Sequence, residues 1–565
     1  MGALRSGRGA RVRGQHVTGV LALLLAQPLL LASCHAALPS AAPRGVADAA
    51  SPAARAQTAD SAAAQQWRPK RAALLGPVAR GYRPQLPALA DDEAAPLVLL
   101  FKEARHLDLL RRGACAALAA LAAPAPAGVG FTGAAAPAAR PAGLRFFGRA
   151  LRGAAGRFTG RQLAALRGCL PEGALLHAEV DQQVRTAEGP ALPEPGHVSK
   201  AESGGASPSQ TQVALDDQPP PDASGGGADD AAVAGAWGPF SAPRLPWSLD
   251  RLDQRGLPLD GAYNRPAGAS GAGVTIYAID SGINPAHREF GGRAAKGPNF
   301  LEWVLDPPPG AASNDCDGHG SHVASTAVGG SVGVAPGAAV VALKVLDCAG
   351  EGSISDVVEA LDWVAANARR PAVVTLSLGV PAGNYSRALE EAVRGVVRSG
   401  VTAIVASGNS QADACTIAPA SVEEAITVAA SNAPARVRGG MIEDLYTWGN
   451  TGACVDVLAP GVDIYAACAS DARCGRATDE SYAWASGTSM AVPHVAGWAA
   501  LFLERRPGAA PAEVKAALLR SATRGALDLR GALGGTPNLL AYAPGAAAGG
   551  GAEGSQGGEA VAFEG

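Results

Sequence analysis

Hydrophobic residues form two separate patterns along this chain of 565 residues. Between residues 241 and 545, short β-branched runs such as 274–280 and 401–406 alternate with apolar stretches of helical period, as in 354–368. Buried parallel strands are continuous apolar runs, and strands that alternate with helices are joined by right-handed crossovers. This segment therefore predicts a three-layer α/β domain with a mostly parallel central sheet between helices.

The second pattern lies upstream, over residues 96–187. Its predicted strands are 96–102, 144–147 and 175–180, and its predicted helices are 107–121 and one that opens at Thr159. A β-α-β-β-α-β-like order of this size predicts a small α+β domain of the ferredoxin-like kind. Basic residues exceed acidic ones in this module, whereas the larger domain has an acidic excess. Opposite charges favour docking of the two parts.

The first 36 residues are expected to be a secretory signal peptide. Arginines precede an apolar run over 17–32, and small residues follow it, which is the usual order in such leaders. A membrane anchor is disfavoured because Gln27 and Pro28 interrupt the run. The residues that end at Cys34 also fit a bacterial lipoprotein cleavage box, so lipidation of Cys34 stays open. A signal peptide predicts an extracellular or secretory-pathway location, with no membrane span after its removal.

Three further stretches have low complexity. They are a spacer rich in Ala, Pro and Arg (37–95), a linker (188–240) and a glycine-rich tail (546–565), and such compositions favour disorder. The net charge of −3 argues against a strongly basic nucleic-acid-binding protein. Nine cysteines favour an oxidising compartment. Six of them lie in the larger domain, too many for spacing alone to fix their pairing.

Candidate chemistry begins at residues 487–494, where a serine follows a glycine turn. Gly487 and Thr488 leave the approach to Ser489 uncrowded, and an apolar run from Val495 predicts a buried helix that begins near the serine. Backbone N–H groups at a helix N-terminus favour a developing negative charge. The position therefore suits a nucleophile, although a serine needs a base to take its proton.

The base and the residue that orients it are predicted upstream. Asp280 ends the strand 274–280, at the edge where open α/β sheets place their sites. His319 lies between two glycines, where an apolar helix begins. The chain order is therefore Asp280, His319, Ser489. Among serine proteases, this order of aspartate, histidine and serine is that of subtilisin.

These motifs resemble those of the subtilisin-like serine proteases (subtilases), and more closely their proteinase K branch. The closer match rests on residues 246–251, 315–320 and 487–494. Within the larger domain the resemblance covers residues 240–545, and it implies a subtilisin-like fold. It also implies a serine endopeptidase in which Ser489 attacks the peptide bond, His319 moves the proton and Asp280 orients the histidine.

The resemblance also implies the roles of further residues. Asn409, which follows the strand 401–406, would donate to the oxyanion together with the N–H of Ser489. Two segments would bind an extended substrate between them: Ser377, Leu378 and Gly379 on one side, and Gly350 and Gly352 on the other. Val380 stands where the family usually has a second glycine, so the shape of the pocket stays open.

Disulfides and a possible structural calcium ion follow from the same resemblance. The implied pairs are Cys316–Cys348, Cys415–Cys454 and Cys468–Cys474. Asp456 would hold calcium together with the carbonyls of Glu423 and Ala425, because oxygen ligands suit this ion. A salt-bridged aspartate is the alternative at this position. The chemistry itself is expected to require no cofactor.

Residues 96–187 resemble the subtilase propeptide, which acts as a folding chaperone and inhibitor. The chain is therefore expected to be a secreted zymogen and a monomer, with its own propeptide and protein substrates as partners and no nucleic acid. Processing is expected near residues 184–188 or before Trp237. The alternative is a protein of this fold that cuts itself once, stays inhibited and acts as a binding regulator.

Overall fold

The structure is a computed structural model. It describes residue 89 and residues 94–111, 144–187, 245–266, 268–301, 314–438 and 440–544. All of these lie in one compact unit, Trp67–Gly565. The predicted signal peptide with Cys34, the linker 188–240 and the glycine-rich tail lie outside the described residues, as does most of the predicted spacer.

The upstream module is a four-stranded antiparallel sheet with two helices. Its strands are β1 (Ala94–Phe101), β2 (Arg145–Phe147), β3 (Gly153–Thr159) and β4 (Leu175–Val180), in the order β2-β3-β1-β4. The helices are α1 (Ala104–Arg111) and α2 (Gly160–Cys169). Helix α2 opens at Thr159 as predicted, and the side chains of Thr159 and Gln162 form a capping box there. Leu97, Leu99 and Phe158 are buried in the core of the module.

Three details of this module differ from the sequence prediction. Strand β3 has no match among the three predicted strands, because its sequence GAAGRFT lacks the β-branched residues that signal a strand. Strand β1 begins at Ala94, inside the predicted spacer. Helix α1 begins at Ala104, three residues earlier than predicted, and the rest of the predicted helix lies outside the described residues.

After β4, the chain forms the short strand β5 (Gln183–Thr186) and leaves the module. Strand β5 pairs with two strands of the larger domain, β9 (Glu351–Ser353) and β11 (Leu378–Gly379). The sequence prediction placed a processing site near here but no strand. The pairing strands, rather than any local pattern in β5, give these residues their extended conformation.

The larger domain is built on a nine-stranded sheet, as the alternation of strands and helices predicted. In chain order its strands are β6 (Thr275–Asp280), β7 (Ala294–Asn299), β8 (Ala339–Lys344), β10 (Ala372–Leu376), β12 (Thr402–Ala406), β13 (Ile426–Ser431), β16 (Val457–Pro460), β19 (Thr523–Arg524) and β20 (Leu539–Leu540). Their order across the sheet is β19-β20-β16-β13-β12-β10-β6-β8-β7. All neighbours are parallel except β19 and β20.

Helices cover both faces of this sheet. On one side pack α5 (Ile354–Asn367) and α6 (Arg387–Arg398), and on the other α3 (Trp247–Leu252), α4 (His319–Val328), α8 (Thr488–Arg505) and α9 (Pro511–Ser521). Strand β12 shows how the layers are separated: Val405 belongs to the first core and Ile404 to the second. The three-layer α/β fold with a mostly parallel central sheet, predicted from the sequence, is therefore confirmed.

The remaining described elements are small. They are the antiparallel pairs β14 (Ala435–Val437) with β15 (Gly440–Ile442) and β17 (Ile464–Ala467) with β18 (Tyr482–Ala485), and the short helix α7 (Asp471–Cys474). None of the helices in the described part of the chain is long and apolar enough to cross a membrane.

The upstream module docks on α5 and α6 through polar contacts. At the N-terminus of α5, Asp181 accepts hydrogen bonds from the amide (2.9 Å) and hydroxyl (2.5 Å) of Ser355. At the N-terminus of α6, Glu179 accepts from the Ser386 hydroxyl (2.5 Å) and the Arg387 amide (3.0 Å). Carboxylates stabilise helix N-termini, where amides lack acceptors. The module thus caps two helices of the larger domain.

Two further contacts fix the position of the module. Asp362 accepts from three successive backbone amides, those of Gly148, Arg149 and Ala150. Arg145 donates to Asp356 and to Glu359, each at 2.9 Å. The Arg145 contacts join a basic group of the module to two acidic groups of the larger domain, in line with the opposite charge excesses of the two parts.

Candidate active site

Asp280 and His319 form a buried pair at the carboxyl edge of the central sheet. Asp280 is the last residue of β6, and its Oδ1 accepts a hydrogen bond from His319 Nδ1 at 2.7 Å. His319 opens helix α4 directly after Gly318, whose φ of 93° favours glycine. Both side chains are buried. The carboxylate can therefore fix the orientation and tautomer of the imidazole, as the sequence prediction required.

A hydrogen-bond network that the sequence analysis missed supports this pair. Asp315 accepts from the Ser281 hydroxyl (2.8 Å), the Gly318 amide (2.8 Å) and the Ser321 amide (2.7 Å). Burial lowers the pKa of Lys344, whose ammonium donates to the Ser281 carbonyl at 2.5 Å. These bonds hold the turn that carries His319. The sequence signal that could have identified Asp315 is its acidic side chain, four positions before His319.

Ser489 lies at the start of helix α8, as predicted. The turn before it depends on Gly487, which has a φ of 151°. The Ser489 hydroxyl donates to the carbonyl of Ser377 at 3.0 Å, and the side chain is completely buried. Its backbone amide contacts Ala187, which directly follows strand β5.

The Ser489 amide and the Asn409 side chain converge on one carbonyl oxygen, that of Ala187. Ser489 N donates to Ala187 O at 3.0 Å, and Asn409 Nδ2 donates to the same oxygen. Asn409 Oδ1 in turn accepts from the Thr488 amide at 3.1 Å, which orients the side-chain amide. Two donors on one carbonyl oxygen are the arrangement that stabilises the oxyanion of acyl transfer.

The segment that ends at Ala187 lies in a cleft as the middle strand of three. Strand β5 pairs antiparallel with β9 and with β11, and the Ala187 amide donates to Ser377 O at 2.9 Å. All five residues proposed as substrate-binding line this cleft: Ser377, Leu378, Gly379, Gly350 and Gly352. A Cβ atom on Gly352 would lie 2.1 Å from the Val345 carbonyl oxygen. Only glycine therefore fits at this position of strand β9.

Three side chains of the bound segment make specific contacts. Val184 is completely buried in the apolar core beside α5. Arg185 forms an ion pair with Glu351 at 2.9 Å, and Gln183 donates to the same carboxylate at 2.5 Å. The cleft thus offers one apolar position and one acidic position to an extended peptide.

His322 and His494, which lie in the sequence near the site, are structural. His322 Nε2 lies 3.0 Å from the Ile464 carbonyl oxygen, and His494 Nδ1 lies 2.8 Å from that of Met490. Burial lowers the pKa of His494 to about 4. A histidine with this pKa stays neutral at physiological pH and cannot serve as a proton shuttle there.

The three disulfides that the resemblance implied are present. Cys316–Cys348, Cys415–Cys454 and Cys468–Cys474 are each bonded, with Cα–Cα separations of 4.9, 5.1 and 6.4 Å. Cys316–Cys348 links the loop before His319 to the loop before β9. It therefore joins the base of the candidate site to one wall of the cleft.

The three residues predicted to hold calcium surround a lysine in this structure. The Glu423 and Ala425 carbonyls and the Asp456 carboxylate do converge, but on the ammonium of Lys515, at 2.7, 2.6 and 2.7 Å. A fixed positive charge at this point opposes a divalent cation. Among the described residues, no group of three or more His, Cys, Asp or Glu side chains is placed to hold a metal. The alternative, a salt-bridged aspartate, fits Asp456.

The larger domain is similar in sequence to several known proteins. The Subtilase family model matches residues 271–541. Alkaline serine exoprotease A of Vibrio alginolyticus is 43% identical over 52% of this chain and 50% of its own length. Extracellular serine proteinase of Thermus sp. strain Rt41A is 44% identical over 53% of this chain and 66% of its own. The chain thus spans half to about two thirds of these relatives.

Two further proteins are similar over larger shares of their length. The crystal structure of a cold-adapted subtilisin-like serine proteinase is 41% identical and is covered over 98% of its chain, with 53% of this chain included and a TM-score of 0.46. A cuticle-degrading serine protease of Arthrobotrys oligospora is 37% identical over 52% of this chain and 67% of its own length. Because the chain is 37% identical to this cuticle-degrading protease and covers 67% of its length, it belongs to the subtilase family.

Proposed function

We propose that this chain is a secreted serine endopeptidase made as a zymogen, and that its residues 96–187 are an inhibitory propeptide. The observation that carries the proposal is the Ala187 carbonyl oxygen, which accepts from both Ser489 N and Asn409 Nδ2. A propeptide tail in this position occupies the place of a substrate. Secretion is supported by the leader, by the three disulfides and by a relative that is named as extracellular.

The reaction follows from the positions of these groups. The Ser489 hydroxyl turns from Ser377 O towards His319, gives the histidine its proton and attacks the scissile carbonyl. Asp280 stabilises the imidazolium, while Asn409 and the Ser489 amide bind the oxyanion. His319 then gives the proton to the leaving amine, and water releases the acyl group from Ser489 by the reverse sequence.

A binding regulator remains the alternative, because Ser489 is completely buried while the propeptide segment lies over it. Such a protein would cut itself once and keep its cleft blocked. Two features favour repeated turnover instead. Asn409 is in place to bind the oxyanion, and a linker of about fifty residues follows Ala187. A long linker lets the propeptide leave after a cut.

We expect the first cut between Ala187 and Glu188. Mass spectrometry of the purified wild-type chain should find a fragment that ends at Ala187 and another that begins at Glu188. Ala187→Pro should block this cut, because proline lacks the N–H that donates to Ser377 O at 2.9 Å. Gln182→Ala, one residue before the bound strand, should cut normally. A first cut near Trp237 would contradict this assignment.

Asn409→Ala is expected to lower kcat on casein or a chromogenic peptide by about 10²–10³-fold, the cost measured when the equivalent donor is removed from subtilisin. KM should change little, because the oxyanion exists only in the transition state. Gln411→Ala, in the same loop, is the matched control. A kcat within threefold of wild type would argue against an oxyanion role for Asn409.

The Arg185–Glu351 pair predicts a preference for a basic residue at the third position before the scissile bond. In the mature enzyme, Glu351→Gln should reduce the kcat/KM preference for a Val-Arg-Thr-Ala over a Val-Gln-Thr-Ala peptide by about two- to fivefold. The effect stays small because the side chains are 58% and 36% exposed. Glu480→Gln, also at the surface, should leave the preference unchanged. An unaltered ratio in Glu351→Gln would refute the preference.

A further inference from the structure

Lys515 provides three hydrogen bonds at the point where the family resemblance placed a calcium ion. Its ammonium donates to the Glu423 carbonyl at 2.7 Å, the Ala425 carbonyl at 2.6 Å and the Asp456 carboxylate at 2.7 Å. A lysine ammonium has three N–H donors. Each of them therefore has an acceptor, and each predicted calcium ligand is used.

The fold brings these groups together from distant parts of the chain. Ala425 directly precedes β13 and Asp456 directly precedes β16, and these two strands are parallel neighbours in the central sheet. Lys515 comes from α9, whose Val514 is buried against the same layer. The ammonium thus ties helix α9 to the amino ends of two central strands, at the edge of the sheet opposite to Asp280.

The charges at this point are shielded from water. The side chain of Asp456 is 4% exposed and that of Lys515 is 16% exposed. Asp456 Oδ2 also accepts from the Thr427 amide at 2.9 Å, which fixes the carboxylate. Removing one partner of such a pair leaves the other buried without compensation, and this is strongly destabilising.

We propose that Lys515 is the structural cation of this site, so that the enzyme holds α9 on its central sheet without a metal. A calcium ion takes six to eight oxygen ligands. Here three of the candidate oxygens already accept from Lys515, and its charge repels a second cation. Loss of the lysine would leave a carboxylate and two carbonyls around an empty space, which is the start of a calcium site.

The test needs no catalytic activity, so it does not depend on the proposed function. The full chain with Ser489→Ala, which prevents self-digestion, serves as the reference protein. Lys515→Ala, Lys515→Met and Arg520→Ala are each added to this reference protein. Their melting temperatures are measured by scanning calorimetry, in a chelator and in millimolar calcium. Arg520→Ala is the matched control, because it removes an exposed positive charge from the same helix.

In chelator, Lys515→Ala and Lys515→Met should each melt roughly 5–10 °C below Arg520→Ala. Calcium should restore at least half of that loss in Lys515→Ala, where the shortened side chain leaves room for the ion. It should restore little in Lys515→Met, whose side chain fills the space. Adding Asp456→Asn to Lys515→Ala should abolish the calcium effect, because the charged ligand is gone.

Any other calcium site in the protein would shift all variants alike, so the difference from Arg520→Ala is the measured quantity. Equal melting temperatures of Lys515→Ala and Arg520→Ala in chelator would overturn the proposal. A destabilised Lys515→Ala that gains no more from calcium than Arg520→Ala would also overturn it, because the ammonium would then not stand in for a cation.

Discussion

Replacing Ser489 by alanine is expected to leave a full-length precursor and to lower turnover of casein by about 10⁶-fold, the loss measured for the nucleophile of subtilisin. The substitution removes the Ser489 hydroxyl, which we propose attacks the Ala187 carbonyl carbon. Its oxygen is already held by Ser489 N at 3.0 Å and by Asn409. Gel electrophoresis and intact mass of the variant, expressed alone, test the processing, and a casein assay tests the loss of turnover.

Ser521→Ala is the matched control for this variant, because Ser521 is also a buried helical serine whose hydroxyl donates to a backbone carbonyl, that of Leu518. It should be processed and active. If the Ser489→Ala chain were instead processed to the mature size, an outside protease would make the first cut and self-cleavage would be wrong.

Asp280→Asn is expected to lower kcat by about 10⁴-fold while the protein keeps its fold, as the corresponding substitution does in other serine proteases. Asp280 Oδ1 accepts from His319 Nδ1 at 2.7 Å. An asparagine amide can turn its N–H₂ group towards the imidazole, which then carries its proton on the nitrogen that must accept the serine proton. The measurement is kcat on a chromogenic peptide, together with a circular dichroism spectrum.

Asp444→Asn controls for a general effect of losing a carboxylate, because Asp444 lies far along the chain in the loop between β15 and β16 and pairs with Asn432. Its activity should stay near that of the wild type. A loss of less than tenfold in Asp280→Asn would show that the aspartate does not orient the base.

The positions of Asp280 and His319 could be predicted because each is marked by a local pattern. An apolar β-branched run ends at Asp280, and a glycine turn before an apolar helix carries His319. Parallel strands that end at one edge of a sheet bring such residues together. The same logic predicted the central sheet, since inner strands such as β6, β10 and β12 are largely apolar runs.

Contacts that depend on partners distant in sequence could not be predicted. Strand β5 has no pattern of its own, and its conformation is fixed by β9 and β11. Lys515 looks like an ordinary solvated lysine on an amphipathic helix, and its acceptor Asp456 lies 59 residues earlier. Strand β3 was not predicted because it is rich in alanine and glycine, which are uncommon in strands.

The most direct test of Ser489 as an active nucleophile is labelling with a phosphonylating serine reagent, read out by mass spectrometry on the mature protein shown to be free of its propeptide. We predict one adduct, on Ser489, with caseinolysis lost in proportion to labelling and no adduct in His319→Ala, because the hydroxyl reacts only when the imidazole takes its proton. If propeptide-free protein neither takes up the reagent nor cleaves casein or short peptides, Ser489 is not a working nucleophile and the protein acts as a binding regulator instead.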